Sequence, residues 1–302
     1  MSDYFNTSKS LLQEITSFKL NGIKLLVKRD DLIHEFVSGN KWRKLKYSVL
    51  QAQSKGKKGI LTFGGAFSNH LLATASACNL LNLKSIGMVR GNELNSNSNK
   101  TLQNCKALGM ELIFLDRETY QLRNDYDYLN EIKNEYNDYF IVPEGGANFY
   151  GIVGCQEIWS EINEEINHVF VAQGTCTTSC GLLIGLPEKT TLHVVPALKG
   201  FDSFSEMRKL LKNTLFEEDL IEDLLQKVEV HLDFHFGGYG KYTKQLLDFI
   251  EEIQTKHELP LDFVYTGKAY FCLLEELKKE KYKNQTVLFL HTGGLQGNLE
   301  KT

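Results

Sequence analysis

Proline is scarce, at four in 302 residues, and the cysteines carry no CxxC pair. So few prolines leave long stretches free to run as unbroken helices and strands. Six scattered cysteines (Cys78, Cys105, Cys155, Cys176, Cys180 and Cys272) in a chain this long read as reduced thiols of a cytoplasmic protein, not as a disulfide framework. No apolar run approaches the length of a membrane span, and the first fifteen residues have neither the basic start nor the apolar core of a secretion signal. A basic excess is also missing. The formal net charge is -4, acids and bases alternate along the chain, and the short clusters Lys55, Lys57, Lys58 and Lys278, Lys279, Lys281, Lys283 read as solvated surface. Nucleic acid and membrane are thereby excluded as partners.

Several catalytic signatures are absent too. There is no HExxH, no G-x-S-x-G elbow, no Walker A loop and no GxGxxG fingerprint. His231 and His235 have a metal-pair spacing for a helix, but Val228, Val230, Leu232, Phe234 and Phe236 alternate with them and mark a strand. Four strand residues span roughly 13 Å, too far for one ion, so no protein metal site is expected.

What is present is alternation. Strand-like apolar runs at 60–63, 84–89, 110–115, 139–142, 168–172, 191–197, 228–234, 262–265 and 286–290 are separated by helical patterns such as 41–52, 69–81, 99–108, 240–254 and 269–279. This is the pattern of an α/β protein with open parallel sheets wrapped by helices, and the length suits two domains. The Asn/Ser-rich stretch 92–99 reads as a loop whose Asn or Ser caps the next helix. Many strands end in glycine turns (Gly64-Gly65, Gly145-Gly146, Gly174, Gly237-Gly238, Gly267, Gly293-Gly294), which is where parallel sheets bind ligands.

Two segments carry chemistry. In Ser38-Gly39-Asn40-Lys41 a turn delivers Lys41 to the first turn of a helix, where the positive end of the helix dipole favours a neutral amine. From spacing alone the favoured reading is a capped surface lysine. The stretch Gln173-Gly174-Thr175-Cys176-Thr177-Thr178-Ser179 follows a strand and opens a helix, offering amide and hydroxyl donors that suit a phosphate or simply cap the helix.

Taken in order, Lys28-Arg29-Asp30-Asp31, Gly39-Asn40-Lys41-Trp42-Arg43-Lys44-Leu45, Gly64-Gly65-Ala66-Phe67-Ser68-Asn69-His70, Pro143-Glu144-Gly145-Gly146-Ala147-Asn148, Gly238-Tyr239-Gly240, Tyr265-Thr266-Gly267-Lys268 and His291-Thr292-Gly293-Gly294 resemble the D-cysteine desulfhydrase / 1-aminocyclopropane-1-carboxylate (ACC) deaminase family over nearly the whole chain. The resemblance implies a pyridoxal 5'-phosphate enzyme of fold type II, tryptophan-synthase-β-like, with two open parallel-sheet domains. Residues 1–48 plus 150–302 would form the larger, cofactor-binding domain and 49–149 a smaller mobile one. It implies that Lys41 holds the cofactor as a Schiff base and Asn69 binds the ring hydroxyl. Gly174, Thr175, Cys176, Thr177 and Thr178 would hold the phosphate, with Thr292 at the pyridine nitrogen. Ser68, Tyr239 and Tyr265 would meet a small amino-acid substrate, and the assembly would be a homodimer.

The two branches of the family differ at two of these positions. The deaminases resemble Tyr-Glu-Gly-Lys and His-Leu-Gly-Gly where this chain has Thr266 and Thr292, so both threonines resemble the desulfhydrase branch and are expected near the pyridine nitrogen. Departures also stand out. Phe67 replaces the family's glutamine, and Thr175, Cys176 and Thr177 replace glycines and serine in the phosphate loop. The expectation is α,β-elimination from D-cysteine or a close β-substituted D-amino acid. ACC deamination, or cofactor binding without turnover, are the alternatives.

Overall fold

The computed structural model describes residues 5–34, 37, 39–296 and 298, so Ser38 of the Ser-Gly-Asn turn lies outside the described residues. The strands are β1 (Leu12–Glu14), β2 (Lys24–Lys28), β3 (Gly59–Gly65), β4 (Lys84–Arg90), β5 (Met110–Leu115), β6 (Tyr139–Val142), β7 (His168–Gln173), β8 (Thr191–Pro196), β9 (Val228–Val230) and β10 (Thr286–Leu290). The α-helices are α1 (Asn40–Ser54), α2 (Asn69–Leu80), α3 (Lys100–Ala107), α4 (Arg117–Gln121), α5 (Tyr126–Glu135), α6 (Phe149–Gln156), α7 (Thr177–Ile184), α8 (Ser203–Lys212), α9 (Glu218–Leu225), α10 (Lys244–His257) and α11 (Thr266–Glu276).

These strands form two sheets and two domains. A six-stranded sheet runs β1-β2-β10-β7-β8-β9 and a four-stranded sheet runs β5-β4-β3-β6. Every pairing is parallel except β1 with β2. The smaller sheet draws all its strands from between residues 59 and 142, and the larger draws all of its own from outside that interval. The helix α1 runs without a break past residue 48 and packs on α2 and on α6, joining the two halves.

Both faces of the larger sheet are covered, as a parallel sheet requires. Along β7, Val169 and Val171 enter one core with α6 to α9, while Phe170 and Ala172 enter the other with α10 and α11. Strand β10 alternates the same way, Leu288 and Leu290 against Val287 and Phe289. In the smaller sheet, Leu61 and Phe63 of β3 pack toward α4 and α5, and Ile60 toward α1 and α2.

Two sequence-based strands need correction. The 228–234 run is a strand only to Val230 and then tightens into a 3-10 turn at Leu232–Phe234. Strand β9 is the edge of the sheet and Leu232 is exposed, so the alternation breaks there, and Phe234 packs part-buried against the core of α10 and α11. Residues 262–265 are a turn. The Asp262 carboxylate accepts from the amides of Val264 (2.8 Å), Tyr265 (2.7 Å) and Thr266 (2.8 Å), which bends the backbone into the start of α11. The short strands β1 and β2 escaped the pattern reading. Asn99 caps α3 by accepting from Leu102 N at 2.9 Å, in line with the expected loop cap.

The Lys28-Arg29-Asp30-Asp31 run at the end of β2 is buried, and it anchors α1. Asp30 and Arg43 are both essentially without solvent contact and meet at 2.7 Å through two bonds, while Arg43 also reaches Glu161 at 2.8 and 2.9 Å. Lys28 adds a 2.7 Å ion pair to Glu161. Burial alone would raise the Glu161 carboxyl, but the hydrogen bonds and charge of Arg43, with Lys28 and Thr7, hold it down at about 2. A depressed carboxyl stabilises the fold fully above its ordinary pKa of 4.5 and loses that contribution as pH falls toward about 2. Removing Arg43 leaves the fully buried Asp30 carboxylate without its cation, which costs about 3–5 kcal/mol. Urea unfolding of Arg43→Ala is expected to show a loss of that size at pH 7 and a smaller difference from the parent near pH 3. A loss under 1 kcal/mol at pH 7 contradicts the account.

Candidate active site

A cleft of about 690 Å³ opens between the carboxyl ends of the two sheets. Its walls include Lys41, Ser68, Asn69, Gly174, Thr175, Cys176, Thr178, Tyr239, Tyr265 and Thr292. Thr177 stands just behind them, buried, with its hydroxyl 3.1 Å from that of Thr175.

Lys41 enters from the first turn of α1. That turn is pinned to the end of β10, because Gly39 adopts φ +62 and its Cβ position falls 1.8 Å from Thr292 O, a spot only glycine can fill. Asn40 N donates to the same carbonyl at 3.2 Å, and the Asn40 side chain donates to Thr178 Oγ1 at 2.8 Å. Lys41 Nζ donates to Asn40 Oδ1 at 2.9 Å. The lysine is part-buried on the cleft wall. Dehydration, and then the charge of Lys44, bring its pKa well below the usual lysine range and favour the neutral amine.

Lys44, one turn along α1, was not singled out from the sequence. It is buried, lines the cleft and makes no hydrogen bond or ion pair among the described residues, and burial lowers its pKa. A cation held that way asks for an anion. The nearest donors of the right kind belong to α7, whose first intrahelical bond runs from Cys180 N to Cys176 O at 2.8 Å. The amides of Thr177, Thr178 and Ser179 lie ahead of that bond without an intrahelical acceptor. Cys176 reaches this geometry at φ +57, left-handed for a non-glycine residue. The opposite wall is cut back for the same space: a Cβ on Gly145 would sit 2.6 Å from the Thr175 side chain.

His70 is also buried on the cleft wall, with one ring nitrogen that has no partner among the described residues. Thr62 Oγ1 donates to Val142 O at 2.7 Å, so its 2.9 Å contact with His70 Nε2 makes that nitrogen the donor. His70 Nδ1 is left as a bare acceptor on the cleft wall. Burial, then Lys41 and Lys44, keep the ring neutral. Ser68 caps α2 through the amides of His70 (3.2 Å) and Leu71 (3.3 Å), which leaves its hydroxyl hydrogen free to donate. Tyr239 and Tyr265 meet edge to face at 5.9 Å across the mouth, and burial raises both phenols so that they stay protonated.

A dehydrated lysine, an unpaired buried cation and a row of free helix amides together fit an aldehyde bearing a phosphate. Residues 6–293 match the family described as pyridoxal-phosphate dependent enzyme. The chain belongs to the pyridoxal-phosphate-dependent enzymes. A Pyrococcus horikoshii protein provisionally named as an ACC deaminase is 33% identical to this pyridoxal-phosphate enzyme over 91% of its chain and 86% of the relative. The Klebsiella pneumoniae D-cysteine desulfhydrase is 28% identical over 90% and 87%. The Arabidopsis thaliana mitochondrial protein named for both activities is 29% identical over 93% and 75%. The crystal structure of an ACC deaminase homologue superposes with a TM-score of 0.79 at 28% identity, covering 96% of this chain and 90% of the other.

One expectation for this enzyme needs correction. Thr292 lies on the cleft wall, but Thr266 does not. It is buried beneath, accepting from Asp262 N at 2.9 Å and donating to Asp262 Oδ2 at 2.6 Å. A glutamate there would bury a second carboxylate against Asp262 and reach no ligand. Thr266→Glu is therefore expected to lose at least about 3 kcal/mol of stability in urea unfolding, the cost of an uncompensated buried charge, while Thr266→Ser stays within about 1 kcal/mol. A Thr266→Glu protein as stable as the parent contradicts this placement.

Proposed function

We propose that this pyridoxal-phosphate enzyme is a lyase that converts D-cysteine, or a close β-substituted D-amino acid, to pyruvate, ammonia and the leaving group. The observation that carries the reading is Lys41, a neutral amine on a fixed helix turn at the edge of the α7 cradle. Bound pyridoxal phosphate supplies an electron sink for negative charge at the substrate Cα.

The residues divide the remaining work. Lys41 bonds the cofactor and, once released, takes the Cα proton, for which an uncharged amine is the competent form. The loop 174–178 holds the phosphate, and Lys44 supplies the charge that balances it. Asn69 meets the ring hydroxyl. Ser68 donates to the substrate carboxylate, and Tyr239 and Tyr265 close the mouth as neutral hydrogen-bond donors. Residues 49–149 act as the mobile domain over the substrate, while 1–48 plus 150–302 hold the cofactor. The assembly in this reading is a cytosolic homodimer, a setting that keeps the six buried thiols reduced.

The choice of substrate rests on Thr292. Its hydroxyl on the wall supplies no charge to keep a ring nitrogen protonated. Asp262, whose Oδ2 lies 3.3 Å from the Cβ position of Gly294, already accepts four hydrogen bonds and has no acceptor capacity left. A weaker sink suffices where thiolate leaves readily, and it is poorly suited to opening a cyclopropane. The names of the Pyrococcus and Arabidopsis relatives favour ACC deamination as the second reading. Sulfide and pyruvate released from D-cysteine, compared with 2-oxobutanoate released from ACC under one set of conditions, separate the two. Turnover of D-cysteine is expected at least about 10-fold above that of ACC, a difference of about 1.4 kcal/mol in barrier. A faster reaction with ACC overturns the substrate, and turnover of neither overturns the lyase reading.

A further inference from the structure

The sequence pairs His231 with His235, but the fold brings a different partner to it. His193 lies in the middle of β8 without solvent contact, its ring stacked on Phe170 at 4.1 Å and 5°. On one side its Nε2 is 3.0 Å from Nδ1 of His168, at the end of β7 opposite to Gly174. On the other, its Nδ1 is 2.9 Å from Nε2 of His231 and 3.6 Å from Oε2 of Glu229, its neighbour in register on β9. His231 Nδ1 in turn faces Glu276 Oε1 at 3.6 Å.

These contacts order the protons. Next to the Glu276 carboxylate, His231 keeps its N–H on Nδ1, so its Nε2 is an acceptor. The hydrogen between His193 and His231 therefore belongs to His193 Nδ1, and His168 donates to His193 Nε2. A single proton then lies between His193 Nδ1 and His231 Nε2, and these two nitrogens and Glu229 Oε2 all lie within 4.8 Å of one another.

We propose that His193, His231 and Glu229 form a binding site for a zinc-class divalent cation that takes the place of this proton. Tetrahedral zinc with bonds near 2.0 Å holds its ligand atoms about 3.3 Å apart, and the 2.9 and 3.6 Å spacings here bracket that value. Two imidazoles and one carboxylate suit that class of ion, with water at the fourth position, because the Glu229 side chain is 44% exposed. The outer partners are already in place. Glu276 orients His231 in the manner of a carboxylate–histidine–metal triad, and His168 orients His193. Burial keeps His193 and His231 neutral, the form that ligates.

The protons balance. The His193 Nδ1 proton leaves to water, the His168 Nδ1 proton moves to His193 Nε2, and His168 takes a proton from water on its own Nε2, so all three rings stay neutral. Two cations oppose the ion, Lys281 on Glu229 at 2.7 Å and Lys279 on Glu276 at 2.7 Å. Both lysine side chains are exposed enough to turn into solvent, and the surface pair of Lys281 with Glu229 contributes only about 0–1 kcal/mol. An ion here would tie β8, β9 and α11 together at the edge of the larger sheet, away from the cleft.

The test uses metal-stripped holoenzyme without substrate, titrated with Co2+ and followed by its visible ligand-field absorption, with Zn2+ competition and thermal melting alongside. One saturable equivalent is expected, displaced by Zn2+, with a higher melting temperature. Glu229→Gln and His231→Gln are each expected to weaken Co2+ binding at least about 10-fold, and Glu229, at the surface, can be changed without unfolding the core. His235→Gln should change nothing. Absence of saturable Co2+ uptake overturns the proposal. So does uptake undiminished in both variants, which places the ion elsewhere, such as the cofactor or the buried cysteines.

Discussion

The buried ion cluster of Asp30, Arg43 and Glu161 determines where Lys41 can be. Arg43 sits two residues after Lys41 on α1, and its guanidinium is shared between an acid at the end of β2 and another on the stretch after α6. The cluster fixes both the axial position and the rotation of the first helical turn. Gly39 on the Thr292 carbonyl and Asn40 on Thr178 then fix the same turn from two further directions. Gly154 closes the back, with its Cβ position 2.0 Å from Arg43 O. The role proposed for Lys41, meeting an aldehyde and then a Cα proton, tolerates little freedom, and here four contacts converge within five residues.

Charge in the cleft follows from that rigidity. Two lysines one turn apart on α1 are both drawn out of water, and the charge of Lys44 pushes Lys41 further toward neutrality. Lys41 can be neutral only at the cost of Lys44 remaining the better place for a positive charge. A phosphate beside Lys44 resolves this, since it pairs one cation and leaves the other amine uncharged. The strained φ of Cys176 belongs to the same arrangement, because the left-handed residue turns the first amides of α7 toward the cleft.

Much of this was legible in the sequence. Nearly every parallel strand announced itself as a short apolar run, and glycine turns after strands pointed to one shared site. The loop 174–178, Ser68, Asn69 and the two tyrosines do gather around Lys41. The misses have physical causes. Asp262 was hidden inside an apolar stretch, and its carboxylate converted an apparent strand into a helix start. Thr266 resembled a ligand-facing residue by position, yet its hydroxyl is committed to Asp262. Lys44 and His70 lay within quoted motifs, but only the fold shows that their polar atoms are buried without partners. The burial of Lys28 to Asp31 had no local signal, because Asp30 pairs with a residue thirteen positions away.

The central claim is that Lys41, and no other lysine, bonds the cofactor. Lys44 and Lys268 are the relevant rivals: both are buried with lowered pKa, Lys268 to about 8, and Lys268 instead donates to Gly238 O at 2.7 Å. Reduction of the holoenzyme with borohydride, followed by peptide mass spectrometry, locates the bond directly. The account predicts a pyridoxyl group on Lys41 alone. Modification of Lys44 or Lys268, or of no lysine in enzyme that carries the cofactor, would contradict it.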